Sequence, residues 1–258
     1  PQTISGVGSI SVPNFAVADN SNVTLNRSII VSSSTNIVGD IDFGTSGQLS
    51  GAGTFTSRVA STATGGSGNT LAGSYQVTFT GPTGITGYSI TGTGIPANTN
   101  VVGFGTSANT IYLSKPATAT ASGVAFTFSS DTATLATANP TGFNDATGSI
   151  ITSGIKSFQS GTNYVINGAT SSPFGINTAA SGSMTVGNVT LNAPVTSNYN
   201  VRVGGALNLV SGIFTIRALD TVRIVSGYAI GGAPFSATKY IRTAISGVDV
   251  GVLRIDDF

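Results

Sequence analysis

The chain of 258 residues carries ten Lys or Arg and nine acidic residues, all of them Asp, which leaves a formal net charge of +1. His, Cys, Trp and Glu are absent, which excludes disulfides, thiol catalysis, thiolate metal sites and His-based acid–base catalysis. The positive residues form no basic stripe and no apolar run reaches the ~20 residues of a membrane helix, so neither nucleic-acid binding nor membrane insertion is expected.

The first section of the chain, residues 1–57, is predicted to be a series of short strands. Apolar and polar residues alternate within each run, and Asp, Asn, Ser and Gly occupy the turns. The predicted strands cover 4–17, 23–25, 29–31, 37–43 and 54–56. Their even spacing, without the Asn-Gly pairs of tight hairpins, favours the coils of a β-helix over a meander, with a sandwich as the alternative.

The second section, 58–128, has a different texture. It begins with 58–68, whose Gly, Ser, Thr and Ala are typical of a flexible linker. Strands are then predicted at 75–79, 88–90, 100–104, 110–113 and 124–128. Five strands with clear Gly-Pro and Ile-Pro turns indicate a small inserted β domain, either sandwich-like or a barrel.

The third section, 129–258, returns to short strands with Gly and Ser at the corners. Strands are predicted at 149–151, 156–158, 163–167, 184–186, 189–191, 201–203, 206–209, 213–216 and 222–225, followed by a terminal strand region at 241–253. Each strand alone can bury only one face, so neighbours must stack to close a core.

The predicted fold class is therefore all-β: a parallel β-helix (β-solenoid) interrupted by a small inserted β-sandwich-like domain. The expected boundaries are 1–57 for N-terminal β-helix coils, 58–128 for the insert and 129–258 for C-terminal β-helix coils. Helix is disfavoured because its strong formers are scarce, whereas Thr, Val, Ile, Phe and Tyr are abundant.

Several Gly-, Thr- and Asn-rich segments resemble the large repeat-bearing surface proteins of Bacteroidetes-type bacteria. The segments are 49–56, 133–142, 154–158, 161–168, 207–215 and 239–241. The resemblance implies an exported, adhesin-like β-helix protein in which the strand ending at Thr56 would run directly into the segment at 133–137, with an insertion of about 70 residues between Thr56 and Ser129. The inserted part resembles strand units of bacterial and phage surface proteins at 93–99. Because the chain begins at Pro1 without Met, we expect a mature form whose leader has been removed.

Two groups of charged residues are candidates for chemistry. Asp40 and Asp42 lie two residues apart, so on a strand they share a face. Such a pair could hold Ca²⁺ or act as a glycosidase pair. The favoured interpretation is that both are solvated charges on a strand edge. Arg217, Asp220 and Arg223 could meet on neighbouring coils, as a base beside a cation in a polysaccharide lyase, although a surface salt bridge is favoured. Asp256 and Asp257 are interpreted as a solvated tail.

Two further patterns are given structural interpretations. The Gly92-x-Gly94-x-x-Ala97 string matches a dinucleotide fingerprint, but no helix follows it to receive a phosphate. Tyrosines could stack on sugars, but packing on half-buried strands is preferred for Tyr75, Tyr88, Tyr112 and Tyr199.

With so few titratable groups, we expect no enzymatic activity, no cofactor and no metal, beyond the weak candidates Asp40 and Asp42. The preferred function is a structural subunit of an extracellular filament or bacterial cell-surface adhesin, which associates with copies of itself through open strand edges. A carbohydrate-active or glycan-binding β-helix protein and a phage fibre or spike protein are the alternatives, and surface glycans are a possible second partner. The predicted subunit contacts are Ile4, Ile10, Val12, Phe15, Val17, Val248, Val250, Leu253 and Ile255.

Overall fold

A computed structural model of the protein describes residues 2–83, 85–105, 109–144, 146–176, 184–225, 227–232 and 234–256. These residues form strands, turns and bends and no helix, so the predicted all-β class is confirmed. In chain order the strands are β1 (Gln2–Ile4), β2 (Ser9–Val17), β3 (Asn22–Leu25), β4 (Ser28–Ile37), β5 (Asp40–Asp42), β6 (Gln48–Ser50), β7 (Thr54–Ser57), β8 (Ser61–Thr70), β9 (Gln76–Thr80), β10 (Ser89–Thr91), β11 (Thr99–Phe104), β12 (Thr110–Leu113), β13 (Ala121–Ser130), β14 (Thr134–Thr137), β15 (Lys156–Phe158), β16 (Asn163–Ile166), β17 (Met184–Val186), β18 (Val189–Leu191), β19 (Val195–Thr196), β20 (Val201–Val203), β21 (Leu207–Leu209), β22 (Ile213–Ile216), β23 (Thr221–Ile224), β24 (Ile230–Gly231), β25 (Tyr240–Thr243), β26 (Ile245–Ser246), β27 (Asp249–Val250) and β28 (Val252–Ile255).

The largest sheet has eight strands in the order β1-β3-β5-β14-β16-β18-β21-β24, and every neighbouring pair in it is parallel. Its register is regular: Tyr164 pairs with Val189, Val189 with Leu207, and Leu207 with Ile230. A parallel pair requires the chain to leave the sheet and return in the same direction. The strands that lie between these partners in sequence belong to other sheets.

Those other sheets are also parallel. One has the order β15-β7-β4-β2 with β6 on β4, another the order β17-β20-β23-β28, and a third the order β19-β22-β25. From β18 to β25 the chain visits the three sheets that contain β18, β19 and β20 in strict rotation. The short β26–β27 hairpin is antiparallel and precedes the last strand.

Strand alternation places one apolar row inside and one polar row outside. In β16, for example, Tyr164 and Ile166 are fully buried, whereas Asn163 and Val165 are half-buried. The same periodicity in stacked strands brings equivalent inner residues into contact across the sheet. The result is one continuous apolar core that extends from Val17 to Ile224.

Aromatic rings form a row within that core. The ring centroids of Phe43 and Phe143 are 6.1 Å apart, those of Phe143 and Tyr164 5.5 Å, and those of Tyr164 and Phe174 5.5 Å, all edge to face. Such pairs contribute about 0.5–1.5 kcal/mol each beyond the area they bury. Burial raises the pKa of the Tyr164 phenol well above its usual value, an effect that the backbone of Gly175 only partly offsets, so this tyrosine stays neutral.

The second section of the chain forms a closed antiparallel barrel in the strand order β10-β11-β12-β9-β8-β13. Its interior holds the side chains of Val77, Phe79, Ile85, Tyr88, Ile90, Val101, Ile111, Leu113, Val124, Phe126 and Phe128. The expectation of a sandwich-like insert is therefore corrected to a barrel. Closure brings β13 against both β8 and β10, so that none of the described strands of the barrel is left as a free edge.

β8 is a strand of this barrel, and the linker interpretation of 58–68 is wrong for the part that β8 covers. A Cβ on Gly68 would lie 1.7 Å from the Thr78 carbonyl oxygen, and one on Gly66 would lie 2.6 Å from the ring of Phe79 and 2.8 Å from that of Phe128. Glycine is required here because large rings and a neighbouring strand occupy the space that a side chain would fill. A composition typical of flexibility thus marks a tightly packed strand.

Candidate functional site

The two ends of the parallel sheets carry strands whose inner rows are only partly covered. At the N-terminal end, Ile10 of β2 is half-buried, whereas its partner in the next layer, Ile29, is 3% exposed. Phe15 of β2 and Ile4 of β1 are likewise partly buried against the core. The inner rows here lose their cover because β1 and β2 are edge strands.

The C-terminal end shows the same pattern on all three sheets that it contains. Ile230 of β24, Ile241 of β25 and Leu253 of β28 continue inner rows that are fully buried one layer earlier, but are themselves only half-buried. Exposed apolar side chains also concentrate near this end: Leu219, Tyr228, Phe235, Ile245, Val248, Val250, Val252 and Ile255. Edge backbone and uncovered apolar rows therefore coincide at both ends.

The predicted contact residues divide into two groups. Val17 is 1% exposed, because it faces the core of its own chain, so its side chain offers no surface to a second copy. The others are half-buried or exposed, and they reach 97% exposure at Val248 on the turn of the β26–β27 hairpin. Those with accessible surface are Ile4, Ile10, Val12, Phe15, Val248, Val250, Leu253 and Ile255.

The Asp40–Asp42 pair lies on the outward face of β5, as the two-residue spacing predicts. Asp40 Oδ1 accepts a hydrogen bond from the Thr134 N–H at 3.1 Å, and Asp42 Oδ1 accepts one from the Gly44 N–H at 2.8 Å. Both carboxylates thus satisfy backbone donors where the chain enters or leaves a strand. Within the described ranges, no group of three or more His, Cys, Asp or Glu is placed to hold a metal ion.

Arg217, Asp220 and Arg223 do not form one cluster. Arg217 Nη2 lies 3.1 Å from Asp220 Oδ1, and the buried Asp220 also accepts a hydrogen bond at 2.8 Å from Ser197 Oγ. This pair closes the turn before β23, while Arg223 lies within that strand and points to a different partner, Asp256. The arrangement provides a structural ion pair at a turn.

Arg223 belongs instead to a row that the sequence analysis missed. Arg202 of β20 pairs in register with Arg223 of β23, which pairs in register with Arg254 of β28. Arg223 Nε donates to both carboxylate oxygens of Asp256 at 2.7 and 2.8 Å, and Arg254 Nε lies 3.7 Å from Oδ1. We refer to Arg202, Arg223 and Arg254 as the arginine ladder.

The ladder shifts the titration of the carboxylate that it holds. The hydrogen bond from Arg223 lowers the pKa of Asp256 below its usual value, and the charges of Arg223, Arg254 and Arg202 lower it further. The same hydrogen bond raises the pKa of Arg223. A pocket of about 260 Å³ beside the ladder is lined by Asn200, Val201, Arg202, Thr221, Arg223 and Arg254. The sequence signal was available, since each arginine is the centre of an apolar-Arg-apolar triplet at 201–203, 222–224 and 253–255.

Asp19 is the second residue that sequence reasoning missed, because it reads as an ordinary turn residue. It is 4% exposed, and its carboxylate accepts hydrogen bonds from Ser89 Oγ at 2.5 Å, the Asp131 N–H at 2.9 Å and Asn20 Nδ2 at 3.0 Å. Its own carbonyl accepts a hydrogen bond from Asn100 Nδ2 at 3.2 Å. Asp19 therefore joins the end of β2 to two strands of the barrel and to the segment by which the chain leaves the barrel.

The other candidate motifs have structural roles. Tyr88 and Tyr199 are packed against the two cores, as preferred, whereas Tyr75 and Tyr112 are exposed on the barrel. The Gly92–Ala97 string runs from the end of β10 through turns, with no helix among the described residues that follow it.

No family model matches the sequence, and neither a curated protein nor a solved structure shows significant similarity to it. Among the described residues there is no helix with the length and apolar character needed to span a membrane.

Proposed function

We propose that the protein is a parallel β-helix that serves as a structural subunit of an extracellular filament or cell-surface adhesin, assembled end to end. Parallel pairing in three walls supports this architecture. From β18 onward the strands of the three walls follow one another in rotation. Each pairs with a strand 18 to 31 residues further along the chain, a spacing typical of solenoid repeats. The barrel is inserted between β7 and β14. In this fold each layer covers the inner row of the layer before it.

The observation that carries the proposal is the uncovered inner row at both ends. Burial falls between equivalent positions one layer apart, from Phe214 at 1% exposed to the half-buried Ile241, and from Ile224 at 0% to Ile255 at 44%. Covering such side chains with another layer is favourable by about 25 cal/mol per Å² of apolar surface removed from water. The edge N–H and C=O groups of the same strands offer hydrogen bonds to that layer.

Strand direction defines the geometry of assembly. All strands of the three walls are parallel to their neighbours, so a second copy continues the stack only head to tail. In such a contact β24 would pair with β1 of the next copy, β25 with the first half of β2, and β28 with the second half. A head-to-tail interface uses two different surfaces and, when its rotation does not close a ring, produces an open filament.

One experiment on purified protein tests this proposal. Ile10→Asp and Ile255→Asp each place a charge in an uncovered inner row, at the N-terminal and the C-terminal end respectively. Val102→Asp, on the barrel surface at 55% exposure, is the matched control. Negative-stain microscopy should show linear arrays of the parent chain and of Val102→Asp, and single particles of the two end variants. A parent chain that remains monomeric at high concentration, or arrays that persist in both end variants, would refute the proposal.

An extracellular location and a non-enzymatic role are part of the same proposal. The scarcity of charge and the Ser-, Thr- and Asn-rich outer rows support an extracellular, non-enzymatic role. A phage fibre or spike remains the alternative that would be favoured by compact trimers in place of linear arrays. The presence of discrete trimers in sedimentation velocity would therefore replace the filament with that alternative.

A further inference from the structure

The arginine ladder concentrates like charge at one place on the outer surface. Arg202, Arg223 and Arg254 occupy equivalent outward positions on three neighbouring parallel strands, which lie about 4.8 Å apart. Like charges directly opposite one another are destabilising in a sheet. Three of the ten positive residues of the chain thus lie in register on one outer surface.

Within the described part of the chain, a single carboxylate forms ion pairs with the guanidinium groups of the ladder. Asp256 accepts both hydrogen bonds from Arg223 Nε and lies within ion-pair distance of Arg254, whereas Arg202 has no hydrogen-bond or ion-pair partner among the described residues. Arg223 and Arg254 also stay accessible, with side-chain exposures of 41% and 65%. Among the described residues, the ladder thus carries more positive than negative charge beside an open pocket.

We propose that the arginine ladder and its pocket bind an acidic polysaccharide through the carboxylates of successive uronate units. Arginine binds carboxylates through its planar set of N–H donors, and Asp256 shows that a carboxylate fits this surface. A linear polyanion matches a linear row of cations better than a single small anion does. Asn200 and Thr221, at the pocket wall, are neutral polar groups of the kind that hydrogen-bond to sugar hydroxyls.

The composition of the pocket disfavours a nucleic acid. Among the described residues, its lining contains no aromatic side chain on which a base could stack, and base stacking contributes much of the affinity for single strands. The ladder also spans only three strands, in a chain whose net charge is +1, which is a short electrostatic footprint for a phosphate backbone. The polysaccharide proposal goes beyond end-to-end assembly and does not depend on it, because the arginine side chains point outward from the stack.

Replacing Asp256 tests the proposal through an expected increase in affinity. If its carboxylate occupies the position that the ligand would take, removing its charge frees Arg223 and should strengthen binding. A merely structural ion pair predicts no gain in affinity, only a less stable terminal strand. Arg202→Gln should weaken binding without disturbing the fold, because Arg202 makes no hydrogen bond or ion pair with the described residues.

The experiment is isothermal titration of the full chain with an oligogalacturonate. A neutral glucan oligomer of equal length, sodium sulfate and single-stranded DNA serve as comparison probes, and Arg242→Gln on β25 serves as the control for charge removal. Of the four probes, we expect only the oligogalacturonate to bind. Its affinity should be about fivefold weaker for Arg202→Gln and more than tenfold weaker for the Arg202→Gln/Arg254→Gln double variant. It should be several-fold tighter for Asp256→Asn and unchanged for Arg242→Gln.

Several results would overturn the proposal. These are no binding of the oligogalacturonate, equal loss in Arg242→Gln and Arg202→Gln, sulfate binding as tight as that of the oligomer, or tighter binding of DNA. A loss of thermal stability without a gain in affinity for Asp256→Asn would also contradict it. Because none of these readouts depends on filament formation, failure of the ladder and failure of assembly are distinguishable.

Discussion

Replacing Asp19 with Ala should loosen the barrel from the parallel sheets and leave the sheets themselves intact. The carboxylate accepts hydrogen bonds from Ser89, Asn20 and the Asp131 N–H. Asn20 and Asp131 are exposed residues that can recover water partners, whereas Ser89 is half-buried. Hydrogen bonds to a charged group contribute about 1.5–3 kcal/mol each, and removing the cost of burying the charge returns part of that. We therefore expect a loss of about 2–3 kcal/mol in the free energy of unfolding.

The assay is guanidinium unfolding combined with hydrogen exchange. Exchange should accelerate in β10 and β11, which contact Asp19 through Ser89 and Asn100, and should stay slow in β18 and β21. Asp19→Asn retains one acceptor oxygen, so it should cost about half as much. An unfolding midpoint within error of the parent, or faster exchange spread evenly over all four strands, would show that Asp19 does not join the two parts.

Three other changes probe the packing and the ladder. Gly68→Ala should prevent barrel closure, seen as loss of slow exchange in β8, because its Cβ would meet the Thr78 carbonyl at 1.7 Å; normal protection would refute this. Tyr164→Ala should cost about 3–5 kcal/mol in chemical unfolding and Tyr164→Phe less than about 1 kcal/mol, and equal costs would contradict the packing account. Because the pKa of Asp256 is lowered in the folded chain, its stabilisation is complete above the usual Asp pKa and is lost as pH falls through the lower folded value. The acid limb of the stability profile, below about pH 4, should therefore be shallower in Asp256→Asn, and an unchanged limb would argue against the ion pair.

Much of the strand content could be predicted because strand alternation is a local signal. The runs around Tyr164, Val189, Val201 and Val222 have apolar residues at every second position, and each forms a strand. Direction of pairing is less local, since it depends on which strands become neighbours. The absence of tight hairpin turns was the informative sign, because parallel neighbours need long connections.

Other features could not be predicted because their causes lie far away in sequence. Gly66 and Gly68 have the composition of a linker, and only the rings of Phe79 and Phe128 show why side chains are excluded there. Asp19 looks like a turn residue until Ser89 is brought within 2.5 Å of it. The arginine ladder can be recognised only from the register of the neighbouring strands. The repeated apolar-Arg-apolar triplets suggest that register only once the strands are known to be parallel.

Mixing the two end variants tests head-to-tail assembly most directly. Ile10→Asp retains an intact C-terminal end and Ile255→Asp an intact N-terminal end, so an equimolar mixture has one competent pair of ends. In sedimentation velocity, each variant alone should be a single particle, and the mixture should form a dimer and nothing longer. A mixture that stays monomeric, or either variant that polymerises alone, would contradict assembly through the uncovered ends of the parallel sheets.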